Sequence, residues 1–223
     1  MANYPEAVLF DLDGTLLDTA PDLGKAANAI LASIGKAPLT DEVIRKTASD
    51  GALALIKAGL TESDRQELDL NSLRQQLLDY YAEHLYVGTK PYAGMVELIA
   101  WLNQNHIAWG IVTNKPAFLT EPLMAQVTEL PQCAVIVSAD TLPVRKPNPE
   151  PLWYACEQIG VNPKHCVYIG DHIRDIEAGR NAGMITGIAS WGYIDPSEEL
   201  TNWNAGITLS SPFSVLDWLK SFS

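Results

Sequence analysis

The sequence has 223 residues and a formal net charge of −12, with 27 acidic side chains against 15 Lys and Arg. Nucleic acids and anionic membrane surfaces bind basic patches, so this charge argues against both as partners, and an anionic substrate needs a metal ion or local cations. Hydrophobic residues make up 47% of the chain, enough for a full core, but no apolar run could span a membrane and no leader precedes the first predicted strand. We therefore expect a cytoplasmic protein.

The first predicted strand is the apolar run from Val8 to Phe10, which leads into Asp11, Asp13 and Gly14. A short β-branched and aromatic run before a turn is typical of a buried parallel strand, and such sheets bind ligands at the carboxyl ends of their strands. We therefore expect Asp11 and Asp13 at the mouth of the sheet. A helix cap or a solvated turn would also account for this pair of carboxylates, so the residues downstream must decide.

The next part of the chain, about seventy residues, has helical spacing throughout, and nothing in it alternates like a strand. The predicted helices are 22–35, 41–47, 52–58 and about 63–86. A crossover between parallel strands usually needs only one helix, so these residues indicate a small domain of their own. We predict a helical domain at residues 18–89, inserted into a core of residues 1–17 and 90–223.

From Pro91 onwards the pattern alternates between helices and strands, which indicates a parallel sheet covered on both faces. The predicted strands are 108–112, 134–137, 166–169, 185–189 and 206–209. The predicted helices are 94–103, 118–127, 150–159, 173–182 and a last one that ends at Leu219. The predicted fold class is therefore α/β, a parallel sheet core with an inserted helical domain.

Three predicted strands end in polar side chains that a single site could collect. These are Asp11 and Asp13, then Thr113 and Asn114, then Asp171 with Asp175, and a loop adds Lys146. Each alone could be a turn, a cap or a solvated charge, but together they are specific. Carboxylates at two strand ends suit Mg²⁺, which takes one or two carboxylates and completes its shell with water and phosphate oxygens. Asp171 would bind the ion directly, and Asp175 would bind through water or orient the other ligands.

The same residues suit the hydrolysis of a phosphate monoester. Asp11 can attack phosphorus to form an aspartyl-phosphate. Asp13 has the position of a general acid for the leaving alkoxide and afterwards of the base that activates water. The phosphate oxygens need donors, which the Thr113 hydroxyl, the Asn114 amide and the Lys146 ammonium can supply.

Four segments, in this order, resemble the motifs of the haloacid dehalogenase superfamily of phosphatases: Asp11-Leu-Asp-Gly-Thr15, Thr113-Asn114, Lys146-Pro147, and Gly170-Asp171 with Asp175. The resemblance covers the whole chain. It implies a Rossmann-like core with the first strand central and a helical cap that closes over the substrate, which matches the insert at residues 18–89. It also implies that Mg²⁺ is held by Asp11, the main-chain carbonyl of Asp13, and Asp171.

Within that superfamily the stretch from Asp11 to Asp22 resembles the phosphoglycolate phosphatase group. Later stretches, among them 109–116 and 202–205, are most similar to the bacterial N-acetylmuramic acid 6-phosphate phosphatases of the same group. The resemblance favours the phosphorylated sugar acid as substrate, with 2-phosphoglycolate as the alternative. A sugar-phosphate mutase shares all four motifs, whereas a dehalogenase of this fold uses one aspartate and no metal, so Asp13 and Asp171 argue against it.

The predicted cap contains a short segment, Ser49, Asp50 and Gly51, that separates two helices. In the family resembled, this position corresponds to the loop that faces the active site. Both candidate substrates carry a carboxylate, and three cations flank the segment as candidates to meet it, although each is also a common solvated surface charge: Arg45, Lys46 and Lys57. The sequence thus predicts a small phosphorylated metabolite as partner and Mg²⁺ as cofactor, and it specifies no oligomeric state.

Overall fold

The computed structural model of the protein describes residues 5–222. Its strands are β1 (Ala7–Phe10), β2 (Leu17–Asp18), β3 (Lys90–Pro91), β4 (Ala108–Val112), β5 (Val135–Val137), β6 (Cys166–Gly170), β7 (Ile185–Ala189) and β8 (Ile207–Leu209). Its α-helices are α1 (Ala20–Ser33), α2 (Asp41–Ala48), α3 (Ala52–Ala58), α4 (Glu62–Glu67), α5 (Leu70–Glu83), α6 (Met95–Gln104), α7 (Ala117–Met124), α8 (Glu150–Ile159), α9 (Ile173–Asn181) and α10 (Pro212–Lys220). Short 3₁₀ helices lie at Pro163–His165 and Leu200–Trp203. Among the helices described, none combines the length and the apolar character needed to cross a membrane.

Six strands form one sheet in the order β5-β4-β1-β6-β7-β8, and all neighbours pair in parallel. The central strand β1 contributes to two hydrophobic clusters, with Val8 and Phe10 in one and Ala7 and Leu9 in the other. Helices α6 and α10 pack into the first cluster, and α8 and α9 pack into the second. The sheet is therefore covered on both faces, as its parallel pairing requires. The predicted α/β fold is confirmed, and β1, β4 and β6 end side by side.

The helical insert consists of α1 to α5, which pack mainly on one another through α1, α3 and α5. It is joined to the sheet by a short antiparallel ladder, in which Leu17 pairs with Pro91 and Asp18 with Lys90. The sequence analysis found no strand inside the insert, and a two-residue strand is too short to show alternation. The domain boundaries at residues 17/18 and 89/90 remain a proposal, and residues 1–4 and 223 of the predicted core lie outside the described residues.

One predicted helix, at about 63–86, is two helices in the structure. Helix α4 ends at Glu67, and Leu68 has extended backbone dihedrals. The Asp69 carboxylate then accepts hydrogen bonds from the backbone N–H groups of Asn71 and Ser72, which starts α5. Aspartate is among the best N-capping residues because its oxygen satisfies N–H groups of the first turn. The helical spacing continues on both sides of this break, so the spacing alone did not detect it.

Candidate active site

Three neighbouring strands deliver most of the predicted site residues to one edge of the sheet. Asp11 and Asp13 follow β1, Thr113 and Asn114 follow β4, Asp171 follows β6, and Asp175 lies in the first turn of α9. Lys146 comes from the loop before α8 and is 1% exposed. The convergence follows from the parallel pairing, because parallel strands all end at the same edge.

Three carboxylates form a compact acidic centre at this edge. Asp11, Asp171 and Asp175 are buried, and each offers an oxygen within 4.8 Å of the oxygens of the other two. Burial, and then the charges of Asp11 and Asp175, raises the pKa of Asp171 to about 7. A divalent cation would remove this repulsion, and Mg²⁺ prefers oxygen ligands of this kind. The residues of the acidic centre therefore fit Mg²⁺.

Asp171 is also held by hydrogen bonds from the core and from the insert. The Thr15 hydroxyl donates to its Oδ1 at 3.0 Å, and the Ser49 hydroxyl and the Tyr193 N–H donate to its Oδ2 at 3.0 and 2.9 Å. Gly14 lies against the same carboxylate, since a Cβ at this position would stand 2.2 Å from Asp171 Oδ2. Its φ of +79° lies in the left-handed region. Glycine is therefore required directly after Asp13.

Lys146 places a buried positive charge between two carboxylates. Its Nζ lies 3.0 Å from Asp11 Oδ1 and 2.7 Å from Asp175 Oδ1. It also lies 2.7 Å from the Tyr168 hydroxyl and 3.0 Å from the Val112 carbonyl. Burial acts to lower the pKa of Lys146, but the charges of Asp11 and Asp175 outweigh burial and raise it. Lys146 is therefore a protonated ammonium that partly neutralises the acidic centre, and its phosphate-binding role stays a prediction.

The two polar residues after β4 present unused hydrogen-bonding capacity at the site. The Asn114 amide donates to the Lys146 carbonyl at 3.0 Å, but its Oδ1 is buried without a partner in the part of the chain described. The Thr113 hydroxyl oxygen accepts from the Lys115 N–H at 3.2 Å, and the residue is 4% exposed. Both residues line the cavity that contains Asp11. A ligand in the cavity could accept the Thr113 proton and the second N–H of the Asn114 amide, whereas Asn114 Oδ1 would need a hydrogen-bond donor.

Lys115 contacts the general-acid candidate, and the sequence analysis missed it. Its Nζ lies 3.1 Å from Asp13 Oδ1, and its side chain is 4% exposed. It also lies 3.2 Å from the Tyr81 hydroxyl and 4.5 Å from the centre of that ring. The Thr19 hydroxyl donates to the same Asp13 oxygen at 2.6 Å. A lysine before a proline looks like a turn residue, and only the packing of α5 onto the core brings Tyr81 to it.

The predicted cap segment lies directly over the acidic centre, between α2 and α3. Besides the Ser49 contact to Asp171, the Arg174 guanidinium donates to the Ser49 carbonyl. The Asp50 carboxylate lies 3.3 Å from His172 Nε2. At Gly51 the φ is +87°, and no other atom lies within 4 Å of a Cβ built there. The segment thus contacts Asp171 itself and two residues that follow it, His172 and Arg174.

The three cap cations considered for a substrate carboxylate do not line the cavity at the acidic centre. Arg45 forms a bidentate ion pair with Asp18, at 3.0 and 2.9 Å. Its hydrogen bond to Asp18 raises the pKa of the guanidinium. Lys46 pairs with Asp195, and Lys57 is exposed. Arg45 therefore ties α2 to Asp18 on β2, and Lys46 ties α2 to Asp195 of the core.

A cavity of about 750 Å³ opens at Asp11, the one residue of the acidic centre that lines it. The predicted residues that line it are Asp11, Asp13, Thr113, Asn114 and Lys146 from the core, with Ser49, Asp50 and Gly51 from the insert. This volume falls in the range of pockets for small molecules, roughly 300 to 1,000 Å³. The site thus combines an acidic centre, hydrogen-bond donors and room for a metabolite.

A parallel sheet, a carboxylate after its central strand and a helical insert over an acidic centre define a class of protein, an α/β enzyme equipped for phosphate chemistry. The model of the family of haloacid dehalogenase-like hydrolases matches residues 8–189. The chain belongs to that family.

Relatives and solved structures agree with this assignment. The N-acetylmuramic acid 6-phosphate phosphatase of Pseudomonas aeruginosa is 41% identical over 215 residues, covering 96% of this chain and 94% of the relative. A phosphoglycolate phosphatase of Xylella fastidiosa strain Temecula1 is 41% identical over 209 residues, covering 94% and 90%. A crystal structure from Haemophilus somnus 129PT, described as a predicted phosphoglycolate phosphatase, shares the fold with a TM-score of 0.85 at 24% identity, covering 98% and 99%. The family resemblance and the prediction of a phosphatase are confirmed.

Proposed function

We propose that the protein is a Mg²⁺-dependent phosphomonoesterase that works through an aspartyl-phosphate on Asp11. The observation that carries this proposal is that only one of the two Asp11 carboxylate oxygens has partners in the described part of the protein. Its Oδ1 accepts from the Leu12 N–H at 2.7 Å and lies 3.0 Å from Lys146 Nζ. Its Oδ2 has no hydrogen-bond partner among residues 5–222, and Asp11 lines the cavity. An ionised carboxylate with one oxygen held and one free is suited to nucleophilic attack.

In the proposed reaction the free oxygen of Asp11 attacks phosphorus and the bond from phosphorus to the leaving oxygen breaks. Asp13 gives its proton to that oxygen, and the alcohol departs. Asp13 then takes a proton from water, which attacks the phosphoryl group, so that inorganic phosphate forms and the Asp11 carboxylate is regenerated. The Thr113 hydroxyl and the Asn114 amide bind the phosphate oxygens throughout.

Mg²⁺ would be held by Asp11, the Asp13 main-chain carbonyl and Asp171, with Asp175 orienting the other ligands. When bound, it supplies positive charge beside the phosphoryl oxygens. The support from this chain is the raised pKa of Asp171, since three buried carboxylates and one lysine leave excess negative charge. A cytoplasmic location remains a prediction from the sequence.

For the substrate we propose N-acetylmuramic acid 6-phosphate. The Pseudomonas aeruginosa relative supports it, and the cavity of about 750 Å³ has room for a substituted sugar ring. The Xylella fastidiosa relative, at the same identity, keeps 2-phosphoglycolate as the alternative. The deciding measurement is kcat/KM for both esters with one enzyme preparation. A tenfold preference for 2-phosphoglycolate, about 1.4 kcal/mol in transition-state binding, would reverse the choice of substrate and leave the reaction class unchanged.

Removal of the metal should abolish phosphate release, and added Mg²⁺ should restore it. Ca²⁺ should inhibit, because it favours more ligands and can engage both oxygens of Asp11.

A second readout of metal binding is thermal unfolding. Because the folded pKa of Asp171, about 7, lies above its ordinary value of 3.8, the metal-free protein should lose stability as the pH rises between these values. Mg²⁺ should therefore raise the unfolding temperature more at pH 8 than at pH 5. For the activity test, undiminished turnover after dialysis against a chelator would contradict the role of the metal.

Substitution of Lys115 by Met should impair esters with poor leaving groups selectively. Lys115 and Thr19 hold the Asp13 carboxylate, so their loss should misplace the proton that an alkoxide needs. We expect kcat for alkyl phosphates to fall by at least about tenfold, with little change for p-nitrophenyl phosphate, whose phenolate leaves without a proton. A series of esters of graded leaving-group pKa measures this difference.

A matched variant is Tyr81→Phe, which keeps the aromatic ring under Lys115 and removes only the hydroxyl at 3.2 Å. It should shift the same series in the same direction by a smaller factor. If Lys115→Met instead slowed every ester equally, Lys115 would act on the phosphoryl group or on the fold, and a positioning role towards Asp13 would be rejected.

A further inference from the structure

The cavity over Asp11 is basic in an acidic protein. The whole chain has 27 acidic residues against 15 Lys and Arg, whereas the cavity lining has three acidic residues and five cations. The cations are Arg74, Lys115, Arg145, Lys146 and Arg174. Local charge of this kind raises the concentration of an anionic ligand and orients it. The lining of the cavity therefore has a formal excess of positive charge, opposite in sign to the net charge of the chain.

Three of these cations are already engaged by the protein. Lys115 pairs with Asp13, Lys146 pairs with Asp11, and Arg174 donates to the Ser49 carbonyl. The guanidinium groups of Arg74 and Arg145, by contrast, have no hydrogen bond or ion pair within residues 5–222. All N–H donors of these two guanidinium groups are therefore available to a ligand in the cavity.

These two arginines come from different parts of the fold, and both are exposed residues of the cavity lining. Arg74 lies on α5 of the insert, and Asn71 and Leu78, three residues before it and four after it, also line the cavity. Residues at this spacing share one face of a helix, so the cavity-facing side of α5 carries Arg74. Arg145 belongs to the core and directly precedes Lys146, whose ammonium contacts Asp11.

We propose that Arg74 and Arg145 form a second anion site, which binds a carboxylate of the substrate while its phosphate group lies at Asp11. The inference rests on the proposed function and assigns two residues to the carboxylate that both candidate substrates carry. In the proposed reaction Thr113 and Asn114 would bind the phosphate, and Mg²⁺, if bound at the acidic centre, would supply positive charge beside it. A guanidinium presents parallel N–H donors that match the two oxygens of a carboxylate.

The second anion site takes over the role for which the sequence suggested Arg45, Lys46 and Lys57. It also gives the insert a direct part in selectivity, since one half of the site comes from α5 and the other from the core. An ester with phosphate alone could occupy the catalytic half of the cavity without engaging Arg74. Discrimination between acid and neutral substrates should therefore depend on both arginines.

The test compares two sugar phosphates that differ by the lactyl carboxylate, N-acetylmuramic acid 6-phosphate and N-acetylglucosamine 6-phosphate. The variants are Arg74→Gln, Arg145→Gln and the double substitution, with Arg180→Gln as the control, because Arg180 is exposed and does not line the cavity. Each single variant should lower kcat/KM at least tenfold for the acid, mainly through KM, and change it less than twofold for the neutral sugar. The control should change neither.

Two results would overturn the second anion site. The first is an equal loss on both sugars, which would show that the arginines serve the phosphate group or the fold. The second is no loss on the acid. If the wild-type protein hydrolyses neither sugar phosphate, the same variants are compared on 2-phosphoglycolate and 2-hydroxyethyl phosphate, which differ by the same functional group.

Binding provides a readout that separates this inference from the proposed reaction. Calorimetry on Asp11→Asn, alone and combined with each arginine change, measures the affinity for the acid and the neutral ester without turnover. We expect the acid to bind at least tenfold more tightly, and this preference should disappear in the double arginine variant. Equal affinity for the two esters in Asp11→Asn would reject the second anion site even if phosphatase activity is confirmed.

Discussion

The substitution Asp11→Asn should reduce phosphate release by at least about 10⁴-fold, because the amide has nearly the shape of the carboxylate but cannot attack phosphorus. The fold should persist. An amide oxygen can still accept from the Leu12 N–H, which donates to Asp11 Oδ1 at 2.7 Å, and Lys146 keeps its contact with Asp175 at 2.7 Å. Phosphate release under saturating Mg²⁺, with circular dichroism and thermal unfolding as checks of folding, measures both parts of this prediction.

The companion variant Asp13→Asn separates the two half-reactions. It should still accept the phosphoryl group from an ester with a good leaving group, but it cannot activate water, so the phosphorylated protein should accumulate. Intact-protein mass spectrometry after a short incubation would detect one added phosphoryl group. Near wild-type turnover of Asp11→Asn with full metal dependence would end the covalent proposal.

Lys146→Met should be the most damaging single change to the site other than loss of the nucleophile. Its side chain is 1% exposed and lies between Asp11 and Asp175, so removal leaves buried carboxylates without their cation. Breaking a buried ion pair by removing one partner costs about 3 to 5 kcal/mol. We expect a loss of stability in that range, measured by urea unfolding, together with a loss of activity of at least about 10³-fold from the disordered acidic centre.

The control for this variant is Lys164→Met, which removes an exposed lysine and should change stability by less than about 0.5 kcal/mol. Mg²⁺ should restore part of the stability of Lys146→Met, since a cation in the acidic centre replaces some of the missing charge. A stability loss no larger than that of the control would mean that the Asp11 and Asp175 carboxylates do not depend on Lys146.

The sequence was sufficient to predict which residues meet at the edge of the sheet, where each of them directly follows a parallel strand. Asp11, Thr113 and Asp171 each come directly after an apolar run, and parallel pairing brings such positions to one edge whatever the loops between them. Periodicity also predicted helices in the region where the structure has α1 to α5. The break at Asp69 was missed because a capping aspartate does not interrupt the spacing of the apolar residues around it.

The contacts between the insert and the core could not be read from the sequence. Lys115 and Tyr81 meet only because α5 packs on α1 and α3 above the sheet, and no local pattern encodes that distance. Arg45 was one of three candidates to meet a substrate carboxylate, because the sequence does not show that Asp18, in the connection between sheet and insert, pairs with it. A charged residue can be recognised from sequence, but whether the protein itself already neutralises it depends on the whole fold.

The central strand has one further consequence for how variation can act on this enzyme. Leu9 belongs to the hydrophobic cluster on one face of the sheet and Phe10 to the cluster on the other, and Asp11 is the next residue. A slip of one residue in the pairing of β1 would exchange the two faces and turn Asp11, the proposed nucleophile, away from the cavity. The position of the Asp11 carboxylate therefore depends on the packing of both hydrophobic clusters. We therefore expect substitutions in either hydrophobic cluster next to β1 to affect the position of the Asp11 carboxylate as well as stability.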